Sequence, residues 1–130
     1  MRFVKNNYDL VLSIVDSLDD EQRGEICNGS FGDSPYVIYR EVVVDNGIGV
    51  AFIDLYQTED MNDVAVVIAR RNGSEYDHKG YASKLVERAI LEASLRGWNL
   101  IWPVRDYNTR SIRLAETYNI PMDIHRKEES

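Results

Sequence analysis

Hydrophobic positions follow two rhythms along this chain. Residues 9–18 place Leu10, Val11, Ile14, Val15 and Leu18 at helical spacing behind Asn7 or Asp9 as the cap, and residues 1–5 suit a short first strand. Asp19, Asp20 and Glu21 open a second short helix through Ile26, because carboxylates favour a helix N-terminus, and residues 28–35 read as loop. From Tyr36 the rhythm changes to β-branched and aromatic runs, 36–44 and 48–56, separated by Asp45-Asn46-Gly47. Asn and Gly both tolerate positive φ, so this stretch predicts an antiparallel hairpin. A polar connection over 57–62 leads to the apolar run 63–70, a central strand covered on both faces.

Helical spacing returns with Ala82, Leu85, Val86, Ala89, Ile90 and Ala93, one apolar face of a helix that ends at Arg96-Gly97. Residues 98–104 then predict a strand, in which Pro103 lacks an amide donor and marks an edge, a bulge or a place where pairing stops. Asn108 caps a last helix with Ser111, Ile112, Ala115 and Tyr118 along one side, ending near Asn119 and Pro121, and residues 122–125 add a short strand.

The first hint of chemistry lies where the long helix begins. Tyr76-Asp77-His78-Lys79-Gly80-Tyr81 is a turn with one glycine feeding straight into that helix. Unpaired backbone N–H groups and the positive end of the dipole at such a start suit a phosphate. Composition narrows the ligand. The net charge of −7 argues against a nucleic-acid binder, yet residues 70–88 sum to +2 and residues 96–113 to +3, leaving −12 for the rest. A local basic region on an acidic protein suits a small anion better than a polymer; basic helix faces without a ligand are the plain alternative.

The 130 residues, 44% hydrophobic, make one domain, since a second would be too small to bury a core. Cys27 is the one cysteine, so an internal disulfide is excluded and a reducing, cytoplasmic setting is expected. His78 and His125 form no ligand cluster, so no metal is expected. The apolar run 10–15 is too short to span a bilayer, and no Gly-Lys-Ser/Thr or Gly-x-Gly-x-x-Gly motif is present for a P-loop or dinucleotide site.

Taken in order, helices, three strands, a glycine-turn helix, a strand and a final helix, the chain resembles the GNAT N-acetyltransferase superfamily. The family's acetyl-CoA motif is Gln or Arg, two residues, Gly, one residue, then Gly or Ala. Here Asp77-His78-Lys79-Gly80-Tyr81-Ala82 matches at Gly80 and Ala82 and departs at Asp77. A second likeness runs from Val104 to Leu114, around Asn108 and Ser111. The resemblance covers residues 64–118 well, the hairpin loosely and the N-terminal third in element order only.

What the resemblance implies is an α/β fold with an α+β-type mixed sheet, central and mostly antiparallel, flanked by helices and shortened at its C-terminus. It implies an acetyl-CoA co-substrate, its pyrophosphate on Asp77, His78, Lys79, Gly80, Tyr81, Ala82 and nearby Ser83, its arm near Asn108 and Ser111, and splayed fourth and fifth strands that admit that arm. As helix cap and first-turn residue, Asn108 and Ser111 need no ligand. The implied reaction is direct attack of an amine on the thioester. The position of the family's acidic tyrosine falls on Ala115, leaving Tyr118, one turn on, as the candidate acid beside its plainer role in the core. The frequent strand glutamate falls near Val66, leaving Asp63, with Glu59 and Asp60, as the candidate base or cation attractor beside their plainer role in a solvated turn. The acceptor is a small-molecule or peptide amine, and its side of the site is either open, suiting a peptide or protein amine, or completed by a second subunit in a homodimer. The alternative function is an acyl-CoA-binding module that has lost turnover.

Overall fold

The computed structural model describes residues 1–25, 36–60 and 62–125. Ile26, the expected end of the second helix, Cys27 and the loop expected over 28–35 lie outside the described residues. In chain order the elements are β1 (Arg2–Lys5), α1 (Tyr8–Asp16), α2 (Asp20–Glu25), β2 (Val37–Asp45), β3 (Ile48–Gln57), β4 (Asp63–Arg70), α3 (Tyr81–Arg96), β5 (Asn99–Arg105), α4 (Thr109–Thr117) and β6 (Met122–His125). Each expected element is present, β4 and β6 at the expected bounds and the others within a residue or two among the described residues. Asn7 caps α1, its Oδ1 accepting from the Leu10 N–H at 3.1 Å. Asp19 and Gln22 cap α2 reciprocally at 2.8 and 2.9 Å, a capping box.

One six-stranded sheet runs in the order β1-β2-β3-β4-β5-β6. The pairs β1–β2, β2–β3 and β3–β4 are antiparallel, while β4–β5 and β5–β6 are parallel. The sheet is thus mixed and, with three of its five pairs antiparallel, mostly antiparallel as expected. The cause is connectivity: short turns reverse the chain between β2, β3 and β4, whereas α3 and α4 carry it back to the end from which it started.

Strand alternation sorts the side chains onto two faces. On one, α1 buries Val11, Ile14 and Val15 against Val42, Phe52 and Val67. On the other, α3 buries Leu85, Val86 and Ala89 against Val43, Ile53 and Val66, with Trp102 and Ala115 completing the core. Each such large side chain contributes about 1.5–3 kcal/mol on burial. Tyr81 joins this buried face although the apolar pattern began at Ala82, because its ring packs inward while its hydroxyl donates to Asp45 at 2.6 Å.

Consecutive residues Arg40 and Glu41 place one charge on each face. Arg40 donates twice to Asp54, both bonds 2.8 Å, on the α1 side. Glu41 accepts from Arg88 of α3 at 2.6 and 2.9 Å and from the Tyr39 hydroxyl at 2.8 Å. The Arg88 guanidinium also lies 4.1 Å over the Phe3 ring, so this cluster fastens α3 to β1 and β2.

Candidate active site

The site begins where two strands part. Pairing between β4 and β5 covers Asp63, Val64 and Ala65 opposite Asn99, Leu100 and Ile101, and goes no further. Beyond it β5 stays paired with β6, from Trp102 opposite Met122 to Arg105 opposite His125. The Asn99 amide donates to Asn62 and the Trp102 amide to Pro121, so odd residues of β5 face β4 and even ones face β6. Pro103 therefore lacks its N–H on the side of the missing ladder. Of the three readings offered by its sequence, the end of pairing is the one observed.

A cleft of about 170 Å³ fills the gap. Val66, Val67, Ile68 and Ala69 of β4 form one wall, Trp102, Pro103 and Leu114 the other, and Arg70 and Arg110 add positive charge. Asn62 faces β5, so by alternation Ile68 and Arg70 also turn their backbone N–H groups toward the opening, past the last β5 pair. A neutral chain thus fits the middle of this cleft and an anion its charged rim.

The turn that carries the glycine motif follows β4. It holds a single 3-10 turn at Ser74–Tyr76, then His78 at φ 58° and Gly80 at φ 74°, before α3 starts at Tyr81. No side chain caps α3, so its first N–H groups are open to a ligand, and a Cβ added at Gly80 would meet nothing within 4 Å. Of the residues expected to bind the cofactor, Ala82, Asn108 and Ser111 line the cleft. His78, Lys79 and Gly80 are exposed on the turn, and Ser83 follows in the first turn of α3. Tyr81 is there through its backbone alone, as its side chain is buried and bonded to Asp45. Asp77 forms an ion pair with Arg70.

Asn108 and Ser111 also have the helix-start roles weighed for them. The Asn108 Oδ1 caps α4 by accepting from the Ser111 N–H at 3.2 Å, and the Ser111 Oγ accepts from Trp102 Nε1 at 3.2 Å. These bonds fix the wall of the cleft.

The two residues considered for proton transfer stand apart from it. Tyr118 is outside the cleft lining; its hydroxyl donates to Glu87 at 2.8 Å, and burial, then that bond, raise its pKa above the usual phenol value. Asp63 lies at the zipped end of β4, its backbone carbonyl accepting from the Thr58 amide at 3.3 Å. Ala115 is fully buried in the main core. Ala115→Tyr is therefore expected to overpack, lowering unfolding free energy by about 1–3 kcal/mol in a denaturant titration without adding a tyrosine to the cleft.

Sequence reasoning missed Arg70 and Arg110 as site residues, along with the β4 wall and Trp102. Their signal was present in the basic stretches 70–88 and 96–113, but which of those cations converge depends on the fold. Hydrogen bonding to Arg70 lowers the Asp77 pKa, and a bond from Tyr81 lowers that of Asp45. Folded-state values below the ordinary 3.8 mean stability that is present above that pH and lost as pH falls through the lowered values. Carboxyl NMR titration is expected to find both midpoints below 3.8.

No protein-family model matches the chain, and no curated protein sequence matches it. Solved structures do. An N-acetyltransferase from Staphylococcus aureus Mu50 is 19% identical over 91% of this chain and 81% of its own, with a TM-score of 0.68. The ribosomal-protein-alanine N-acetyltransferase from Brucella melitensis is 15% identical over 91% and 83%, TM-score 0.70. An aminoglycoside N-acetyltransferase in complex with CoA is 12% identical over 99% and 100%, TM-score 0.66. The fold of this chain is that of the GNAT N-acetyltransferases. The splayed strands and glycine turn are parts of that fold here, and the solved structures named above are acetyltransferases.

Proposed function

We propose that this chain is a cytoplasmic N-acetyltransferase that moves an acetyl group from acetyl-CoA to a primary amine by direct attack. The observation that carries the reading is the cleft opened between β4 and β5 after Ala65 and Ile101, apolar along its walls and cationic at Arg70 and Arg110. The group is implied by the fold, and the residues present fit it. The uncapped start of α3, with the open space above Gly80, suits the pyrophosphate; Ala82, Asn108, Ser111 and the β4 wall suit the pantetheine arm.

Acetyl-CoA would supply an activated thioester. The chain's part is to orient the carbonyl along β4, where the Ile68 N–H faces the opening and can stabilise an oxyanion, and to keep the arm dry between apolar walls. The attacking amine must lose a proton and the leaving thiolate gain one. Asp63, acting through water, and Tyr118 are the residues assigned those transfers, each needing a relay from outside the cleft lining. Glu59, Asp60 and Asp63 gather at the end of β4 opposite the glycine turn, which supports a cationic small-molecule or peptide amine approaching there.

The buried Ala115 and the engagement of Tyr118 with Glu87 favour one second reading, a binding module without turnover. Calorimetric titration with acetyl-CoA and a thiol-release assay over an amine panel test both. Binding with acetyl transfer to at least one amine is the expected result; binding without transfer to any amine selects the module, and no binding of acetyl-CoA or CoA overturns both.

A further inference from the structure

At the mouth of the cleft one carboxylate stands among cations. Arg70, the last residue of β4, is 23% exposed and spans the turn that follows it. Its Nε donates to the Arg71 carbonyl at 3.3 Å, one terminal nitrogen to the Gly73 carbonyl at 3.4 Å, and the other to the Asp77 carboxylate. A guanidinium has five N–H donors, so these three bonds leave two for a ligand. Arg110 lines the same cleft from α4, is exposed, and its side chain has no hydrogen bond or ion pair among the described residues. Asp77 is thus ion-paired with one of the two arginines of the cleft, and the charge of the other favours its ionised form as well.

Asp77 is an odd residue for this place. It occupies the first position of the motif, next to backbone N–H groups that suit phosphate, and its negative charge opposes any anion that arrives. Arg70 already holds a carboxylate there, in the same charge-assisted way that it would hold a phosphate oxygen. We propose that Arg70 and Arg110 are the side chains that bind the phosphates of the co-substrate, and that Asp77 is an internal competitor which occupies Arg70 until an anion displaces it. Resting on the acyl-CoA reading of the cleft, this assigns the binding charge to side chains contributed by β4 and α4, outside the glycine motif. It also explains how a motif with a carboxylate in its first position accepts an anion: the cation comes from the neighbouring strand.

The competitor role fixes the sign of a substitution. Asp77→Asn keeps the size and removes the charge, so acetyl-CoA and inorganic pyrophosphate are each expected to bind about fivefold more tightly by calorimetry at low salt. Arg70→Gln is expected to weaken both, and in its background Asp77→Asn should yield a clearly smaller gain, the part that repulsion alone supplies. Arg110→Gln is expected to weaken binding and flatten its salt dependence. Thermal unfolding of each variant checks that the fold is kept, and Arg70→Lys, which retains a charge without the fork, serves where Arg70→Gln does not fold. Unchanged or weaker acetyl-CoA binding by Asp77→Asn overturns the competitor assignment and leaves the acyl-CoA reading standing. An equal gain in the Arg70→Gln background overturns it too, showing plain repulsion. Tighter pyrophosphate binding by Asp77→Asn, with no binding of acetyl-CoA or CoA to either protein, upholds the assignment and sinks the acyl-CoA reading. No binding of any of these anions sinks both.

Discussion

Replacing Arg40 by alanine is expected to lower the unfolding free energy by about 3–5 kcal/mol, the typical cost of stranding a buried charge. Asp54 is 2% exposed and takes two 2.8 Å bonds from Arg40. Without that guanidinium the carboxylate must either remain charged in an apolar layer or take up a proton. A loss of this size is a large part of the roughly 5–15 kcal/mol that holds a domain folded, and corresponds to a fall in Tm of roughly 10–20 °C. Removing both charges has another outcome: Arg40→Met with Asp54→Leu is expected to recover most of the loss, because no charge is then desolvated. Recovery of nothing in the double variant would show that Arg40 matters for reasons other than its ion pair.

The pH dependence of this pair differs in sign from that of the surface carboxylates. Burial raises the Asp54 pKa against the opposing pull of Arg40. A raised folded-state value means stability that is present below the unfolded value of 3.8 and lost as pH rises through the folded one. Asp45 and Asp77 act oppositely, and Asp54→Asn separates the two contributions in an acid titration.

The second large effect is expected at Gly80. Gly80→Glu should weaken acetyl-CoA binding at least about 100-fold, about 2.7 kcal/mol, in a calorimetric titration. Nothing in the protein blocks a side chain there, since a Cβ meets no atom within 4 Å; the space it enters is the one assigned to the pyrophosphate. A carboxylate at the start of α3 would put negative charge against the phosphates. Gly80→Ala is the control. At φ 74° it carries about 1–2 kcal/mol of backbone strain but no charge, so its binding should stay within about tenfold of the parent. Equal affinities for the parent and the glutamate variant would remove the phosphate from this turn.

Much of the architecture was legible along the chain because its signals are local. Asn46-Gly47 specifies the hairpin turn, with both residues at positive φ, 52° and 76°. The spacing of Leu85, Val86, Ala89 and Ala93 specifies the buried face of α3, and Gly97 at φ 73° its end. The helix-start roles of Asn108 and Asn7 were readable for the same reason, as a cap bonds three residues ahead. Pro103 announced a break in pairing without saying on which side, because the direction of a missing donor depends on which neighbour each alternate amide faces. The side was resolved once the Asn99 and Trp102 amides were placed.

The site itself divides along the same line. The glycine turn and its helix, Tyr76 through Ala82, were readable as an anion-binding stretch because backbone N–H groups, a dipole and an absent Cβ are properties of consecutive residues. The same local reading marked Asp77 as a departure from the motif and left it without a partner. Arg70, seven residues earlier, pairs with it across the turn, and Arg110, on the last helix, lines the same cleft as Arg70 only because α4 packs beside it. Sequence likewise gave no sign that Arg40 would pair with Asp54 on one face while Glu41 held Arg88 on the other. So the chain's own pattern determined its elements, their order, the turn glycine and the resemblance that followed from them. Tertiary structure alone decided where β4 and β5 part, which cations meet there and which charges are buried, because each of those depends on atoms far apart in sequence brought within a few ångströms by the sheet.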